Sequence, residues 1–311
     1  MTSPLFFLLA AILPPTLDDW KKSGEATVPA LEQSAAAREY GLQESEAARY
    51  ELGKKSFSLA VYRLKDTTGA LAFEQSLRSP GAARKLFRYR NYVFETLDGV
   101  APRGALDAFL LPTLPKADRT ATPDLLRYLP AKGRISGSER YILGPESLKA
   151  FAPKIPPGAA GFDFAGELQA AEYRSAEGGA WLGVFQYPNQ LIARQQAEVL
   201  ERALTGLPSG ALKREGPLVA IVLPAGEAST LKPETAQALT AGIQYKAEVV
   251  MDKAPEKPEP NPGQFILGLL KLCAILLGLC LVFAIFFALL FRFLRTRGVG
   301  GQDDTVTTLR I

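Results

Sequence analysis

A chain of 311 residues with 36 Lys+Arg, 32 Asp+Glu, two cysteines and no histidine excludes several chemistries at once. Without imidazole there is no Ser-His-Asp triad, no Cys-His dyad and no histidine metal site, and two cysteines make neither a disulfide framework nor a four-cysteine zinc site. The length suits one large or two modest domains with ample chain for an apolar core, and the formal charge of +4 is mild.

The first apolar run is LFFLLAAIL, Leu5 to Leu13. It has the length of a signal-peptide h-region and is too short to cross a bilayer, and Pro14 and Pro15 stop any helix behind it. Residues 1–16 are therefore read as a signal-peptide-like segment. Its flanks are atypical, because MTSP carries no Lys or Arg and no A-x-A site follows. No cysteine follows the run either, so a lipobox is excluded.

Two later stretches align without a gap at an offset of 123 residues. Ala47 to Ala70 reads AARYELGKKSFSLAVYRLKDTTGA, and Ala170 to Ala193 reads AAEYRSAEGGAWLGVFQYPNQLIA. Tyr50 matches Tyr173, Leu59 matches Leu182, Val61 matches Val184 and Tyr62 matches Phe185. Each copy predicts strand, turn, strand, helix. Gly53-Lys54-Lys55 and Glu177-Gly178-Gly179 are the hairpin turns. Asp66 and Asn189 stand where helix N-caps belong, and an Asp/Asn exchange keeps a cap while it would disable a general base.

After the first copy, LFRYRNYVFETL (Leu86 to Leu97) predicts one aromatic-rich strand, and Gly104 to Leu111 a helix closed by Pro112. Pro115 to Gly161 is proline-rich and predicts an inter-lobe connection with short helices at best. After the second copy, Ala211 to Glu215 and Leu218 to Leu223 predict strands, Pro233 to Gly242 a helix and Gln244 to Met251 a closing strand. The fold class expected is α+β: two similar strand-strand-helix-strand-helix lobes, residues 20–115 and 162–251, joined by 116–161.

Residues 252–263 are a Pro-rich stalk. From Leu272 to Phe291 no residue is charged, long enough at 1.5 Å per residue to cross a hydrocarbon core of roughly 30 Å, so 264–291 is read as a transmembrane helix. Arg292, Arg295 and Arg297 follow, which by the positive-inside rule assigns the tail 292–311 to the cytoplasm and the folded bulk to the outside of a bacterial inner membrane. Five bases against two acids lie from Gln264 onward, so most of the net charge is this topology signal. Cys273, Ala274, Gly278, Cys280, Ala284 and Ala288 form a small-residue stripe on the span, a candidate seam for a homodimer.

The order EYGLQESEAARYE, VYRLKDTTGALAF, YLPAKGRISGSERYILGPESL, GFDFAGELQAAEYR, LGVFQYPNQLIA, GIQYKAEVVM and a single span resembles a bacterial domain-of-unknown-function family of exported, membrane-anchored proteins, often acidobacterial. The resemblance covers Trp20 to the end of the span. Gly137 to Pro145 (GSERYILGP) and Tyr187 to Ala193 (YPNQLIA) are its most specific parts. It implies domain extent and topology, and no activity, ligand or catalytic residue.

Chemical motifs are sparse. GKKS (Gly53 to Ser56) lacks the upstream glycine of a P-loop, Gly137-Ser138-Glu139 lacks the nucleophile-elbow frame, and Ser209/Lys213 and Ser147/Lys149 lack the S-x-x-K spacing. Glu139 with Arg140, and Glu172 with Arg174, read as solvated faces or local pairs. The candidate recognition surface is Arg84, Lys85, Phe87, Arg88, Tyr89 and Arg90, where strand alternation places Phe87 and Tyr89 on one face and Arg88 and Arg90 on the other. Anionic glycan or a lipid headgroup suits such a strand outside the cytoplasm, and nucleic acid does not. Nothing calls for a cofactor or metal. The expectation is a non-catalytic binding or structural module serving envelope protein partners; a carboxylate-only hydrolase or transferase, and a sensor acting through a partner, stand as alternatives.

Overall fold

A computed structural model describes residues 11–31, 34–81, 84–118, 120–175, 178–205, 210–226, 231–245 and 262–296. Contacts divide the chain into a unit ending at Lys246 and a second one from Ala247.

In the first unit the chain enters through β1 (Thr16–Leu17) and β2 (Trp20–Glu25), a short helix α1 (Ser34–Glu39), then a long hairpin of β3 (Leu42–Leu52) and β4 (Lys55–Leu64). Gly53, at φ +60°, supplies the positive dihedral that the two-residue turn needs. Helix α2 (Thr67–Leu77) follows, then β5 (Lys85–Tyr89) and β6 (Tyr92–Gly99). These six strands form one antiparallel sheet in the order β1-β2-β3-β4-β6-β5.

The aromatic stretch from Leu86 is thus a hairpin and not the single strand that its β-propensity predicts. Arg90 turns the chain at φ +55°, a dihedral few non-glycine residues adopt. Asn91 holds the turn down: its Nδ2 donates to the Leu64 carbonyl at 2.9 Å, and its Oδ1 accepts from Asp118 N at 2.8 Å. The helix expected from Gly104 is fragmented. A three-residue α3 (Arg103–Ala105) runs into a π turn, Leu106–Leu110, and a 3-10 turn, Leu111–Thr113, that contains Pro112.

The segment expected to hold short helices at best also carries a strand. β7 (Arg140–Ile142) pairs with the second sheet, and α4 (Pro145–Phe151) follows it. Next come β8 (Glu167–Ser175), β9 (Gly178–Gln186), α5 (Gln190–Ala203), β10 (Ala211–Glu215), β11 (Leu218–Pro224) and α6 (Pro233–Ala241). The second sheet has the order β10-β11-β9-β8-β7. Each sheet therefore contains a β-β-α-β-β run that ends in a strand hairpin; in the first lobe the sequence predicts a single strand there, and in the second the two strands and the helix after them lie where the sequence predicts them. Of the predicted turn Glu177-Gly178-Gly179, Glu177 lies outside the described residues, as does 246–251 of the predicted closing strand. Gln244 and Tyr245 are not in a strand.

Both helix starts carry the side-chain caps that their sequence suggests. Asp66 Oδ1 accepts from Gly69 N at 2.7 Å and Asn189 Oδ1 from Ile192 N at 2.9 Å, each from an extended N-cap backbone. Replacing Asp66 by Ala is expected to cost about 1 kcal/mol in denaturant unfolding, and Asp66→Asn only a few tenths. Equal losses for the two variants would show that the charge, and not the cap, matters there.

Alternation along the strands builds a layered core. The inward face of the first sheet (Ala60, Tyr62, Leu64, Val93) packs on α2 through Leu71 and Phe73. The other side of that layer is the second sheet, through Ala171, Tyr173, Leu182, Val184, Ala220 and Val222. The far face of the second sheet (Leu168, Phe185, Val219, Ile221) is covered by Ala193, Ala197 and Leu200 of α5 and by Leu148 of α4. The far face of the first sheet (Tyr50, Phe57, Leu59, Phe94) is covered by Leu106, Leu110 and Leu111, and by Ile12, Leu13 and Leu17. The fold therefore takes in Ile12 to Leu17, most of which the sequence assigns to a signal-like segment. The last apolar residues of the h-region pattern are core residues.

The second unit contains α7 (Pro262–Thr296). Its stretch Leu270–Leu294, 25 residues, is long and apolar enough to cross a membrane. The helix begins at Pro262, inside the predicted stalk. Residues 252–261 of that stalk and the tail from Arg297 lie outside the described residues.

Candidate functional site

The polar groups that meet across the two sheets gather at the C-terminal end of α2. Burial selects them: Glu74 and Gln75 on α2, and Gln169 on β8, are among the few polar residues inside the core. They line a half-open cleft of about 300 Å³ together with Arg78, Arg134, Ser136 and Glu139, floored by Leu71, Leu126 and Leu129. Its charges are paired within the domain. Glu74 holds Arg78 at 2.6 Å and Arg88 at 3.3 Å, and Glu139 holds Arg134 at 3.2 Å. Gln169, 1 % exposed, donates through Nε2 to Gln75 Oε1 at 3.4 Å, and its own Oε1 meets no donor.

Beside the cleft, Arg140 ties the halves together. Its Nη2 donates to the Arg78 carbonyl at 2.7 Å, just past the end of α2, and its Nη1 donates to the carbonyls of Gly137 and Glu139 at 2.9 and 2.6 Å. The guanidinium lies 5.1 Å from the Phe151 ring centroid. Burial lowers its pKa from the usual value. Arg140 is therefore not the local partner of Glu139 that adjacency suggests: Glu139 faces Arg134, and its Oε2 accepts from Gly137 N at 2.8 Å. The GSERYILGP segment thus serves as a staple. Ser138 Oγ donates to Ile135 O at 2.6 Å and accepts from Glu172 N at 3.0 Å, and the Tyr141 hydroxyl donates to Glu167. Desolvation, with Glu167 beside it, pushes the Tyr141 pKa up.

A second clamp joins α1 to α4. Glu39 Oε2 accepts from Glu146 N at 2.8 Å, and Oε1 accepts from Ser147 N at 3.1 Å and from the Ser147 hydroxyl. Ser147 and Lys149 make no dyad, because Ser147 is engaged here and Lys149 pairs with Glu146 at 2.8 Å. Lys213 donates to the Ile243 carbonyl at 2.8 Å, and Ser209 lies outside the described residues.

The basic-aromatic strand does not act as one surface. It is the edge strand β5. Phe87 stacks on Phe94 at 4.6 Å and receives Arg103 over its ring at 4.1 Å, so it belongs to the outer core layer with Tyr89. Arg84 and Arg88 point to the α2 side, where Glu95 (3.5 Å) and Glu74 pair with them. Lys85 Nζ donates to the Gly99 carbonyl at 2.9 Å. Arg90 leaves the strand at the turn and lies 5.0 Å from the Tyr89 ring centroid, so it does not share a face with Arg88.

Cys273, Ala274, Gly278, Cys280, Ala284 and Ala288 all lie exposed on α7, and both cysteines are free. Among the described residues no group of three or more His, Cys, Asp or Glu is placed to hold a metal ion.

Sequence reasoning missed Glu39, Gln169 and Arg140's real partners. One signal was present: Gln169 is the residue that the 123-residue offset aligns with Glu46, the side chain that receives Ile12 and Leu13 on the opposite face of the first sheet. Comparison of the chain with protein-family models, with curated proteins and with solved structures finds no match.

Proposed function

We propose that the chain is a membrane-anchored, extracytoplasmic binding or structural module of a bacterial cell envelope, which presents a rigid two-sheet domain to envelope protein partners. The observation that carries this reading is the single apolar layer shared by the two sheets. An enzyme working between lobes needs an open cleft with free acids, whereas here the cleft carboxylates Glu74 and Glu139 are held in ion pairs. No specific observation favours the hydrolase or the sensor reading. A protein partner suits the surface better than anionic glycan or lipid headgroup, because Arg84 and Arg88 are already paired with acids.

The two sheets are read as copies of one β-β-α-β-β unit. The pairing register supports this: Ala48 faces Leu59 and Ala171 faces Leu182, and the short hairpins turn at Arg90 (φ +55°) and Gly216 (φ +59°). The copies stack head to tail, since the helix of the first is covered by the sheet of the second. The bases after the span orient the tail inward. A reporter active only in the cytoplasm, fused after Arg297, is expected to work, and activity confined to a reporter that needs the outside would overturn the orientation. Capture of the full chain from detergent-solubilised membranes is expected to recover a defined envelope protein. Recovery of glycan or lipid alone would replace the protein-partner reading.

A further inference from the structure

The chain changes character between Ala11 and Ile12. Ala11 is exposed, whereas Ile12 is 6 % and Leu13 1 % exposed, packed against the outer face of the first sheet. The backbone from there on is committed to the fold. Tyr50 donates its hydroxyl to the Pro14 carbonyl at 2.7 Å, Lys22 N donates to Pro15 O at 2.9 Å, and Leu17 pairs with Trp20. A cut after Leu13 would strip two side chains from this layer and leave the Tyr50 hydroxyl facing a new terminus.

The nitrogen of Ile12 sits in an acidic socket. Glu46 Oε2 accepts from Ile12 N at 2.6 Å and from Leu13 N at 3.0 Å, while Glu46 Oε1 faces Lys22 Nζ at 2.9 Å. In the intact chain that nitrogen is a peptide N–H on a charged acceptor, and the same carboxylate stands where the ammonium of a chain beginning at Ile12 would lie. Glu46, 22 % exposed, gathers two main-chain nitrogens and Lys22, and at Ile12 it supplies the counter-charge that a free α-ammonium requires. Ala11 stands just before that nitrogen, the small residue that signal cleavage calls for directly ahead of the bond.

We propose that the Ala11–Ile12 bond is a processing site, and that Ile12 is the first residue of the mature protein with its ammonium paired to Glu46. The inference rests on the reading of the chain as exported. In the reaction the C–N bond of Ala11–Ile12 breaks by hydrolysis. Water supplies the hydroxyl that makes the Ala11 carboxyl group and the hydrogen that makes the Ile12 amine, and the amine takes a further proton at neutral pH. Leu9 at the third position before the bond departs from the A-x-A pattern, and here the fold selects the cut from its far side.

The test is N-terminal sequencing and intact mass of the full chain, expressed in a bacterium and recovered from membranes by a C-terminal tag. A start at Ile12 is expected. A start beyond Ile12, or at any other internal residue, overturns the site while leaving export standing. An uncleaved Met1 start overturns the site as well, and export is then judged by the reporter fusion after Arg297. A second measurement addresses the ion pair. Ala11→Leu is expected to block cleavage, and Glu46→Gln is expected to lower the melting temperature of the processed chain about twice as much as that of the uncleaved Ala11→Leu chain. Equal shifts overturn the ammonium pairing.

Discussion

Raising the pH above about 10 is expected to unfold the domain cooperatively, over a pH range where most proteins of this size only begin to lose stability. Tyr40, Tyr50, Tyr62, Tyr92, Tyr141, Tyr173 and Tyr187 are each at most 2 % exposed. Burial pushes all seven pKa values up from 10.0, that of Tyr173 to about 12. The sign follows from proton counting. Below the unfolded value both states hold the phenolic proton, and the stability is fully present. Between the unfolded and folded values only the unfolded chain releases it, so stability falls with rising pH by about 1.4 kcal/mol per pH unit for each tyrosine. Seven together give about 10 kcal/mol per unit, comparable to the whole stability of a domain.

The hydroxyls are also donors that ionisation abolishes. Tyr50, Tyr92, Tyr173 and Tyr187 donate to the carbonyls of Pro14, Pro115, Pro130 and Ala160, and so pin four irregular segments to the sheets. Loss of near-ultraviolet circular dichroism should coincide with a step in tyrosinate absorbance near pH ~11. Gradual absorbance without loss of structure would sink the idea. Between about pH 5 and 7 the absence of histidine predicts a flat profile, because no side chain has its ordinary pKa there.

These tyrosines also mark what the sequence could and could not convey. The long hairpins were legible because alternation, a Gly53 turn and a cap at Asp66 are local signals, and each element satisfies itself within a few residues. The β5–β6 turn was not, since Arg90 adopts a left-handed dihedral without a glycine, and Asn91 holds it through Leu64 and Asp118, remote in sequence. β7 was hidden for a similar reason. Three residues between proline-rich stretches carry no period, and their register comes only from pairing with β8. The candidate basic strand failed as a site because its acids, Glu74 and Glu95, come from α2 and β6. Composition reports charges, while the fold decides which of them remain unpaired.

Glu39→Ala is expected to cost about 3 kcal/mol, from two charge-assisted hydrogen bonds of about 1.5–3 kcal/mol each, less what water recovers. The physical reason is that α4 has no side chain at its N-cap. Its N-cap residue is Gly144, which has no side chain, and the first-turn N–H groups of Glu146 and Ser147 go to a carboxylate more than a hundred residues earlier. A Cβ on Gly144 would run into that carboxylate, so the glycine and the acid occupy one space between them. Removing the acid leaves the two half-buried N–H donors without their acceptor, while the Ser147 hydroxyl keeps the Gly144 carbonyl at 3.2 Å. Glu39→Gln keeps one acceptor oxygen and should lose about half as much. The room vacated in Glu39→Ala also permits a local cap, because the backbone at Gly144 is extended, as an N-cap requires. Gly144→Asp should therefore recover about 1 kcal/mol in the Glu39→Ala background and destabilise the chain that keeps Glu39, where two carboxylates would share the site. Urea unfolding of the four chains reads this sign reversal directly, and a Gly144→Asp effect of the same sign in both backgrounds would show that Glu39 does not cap α4.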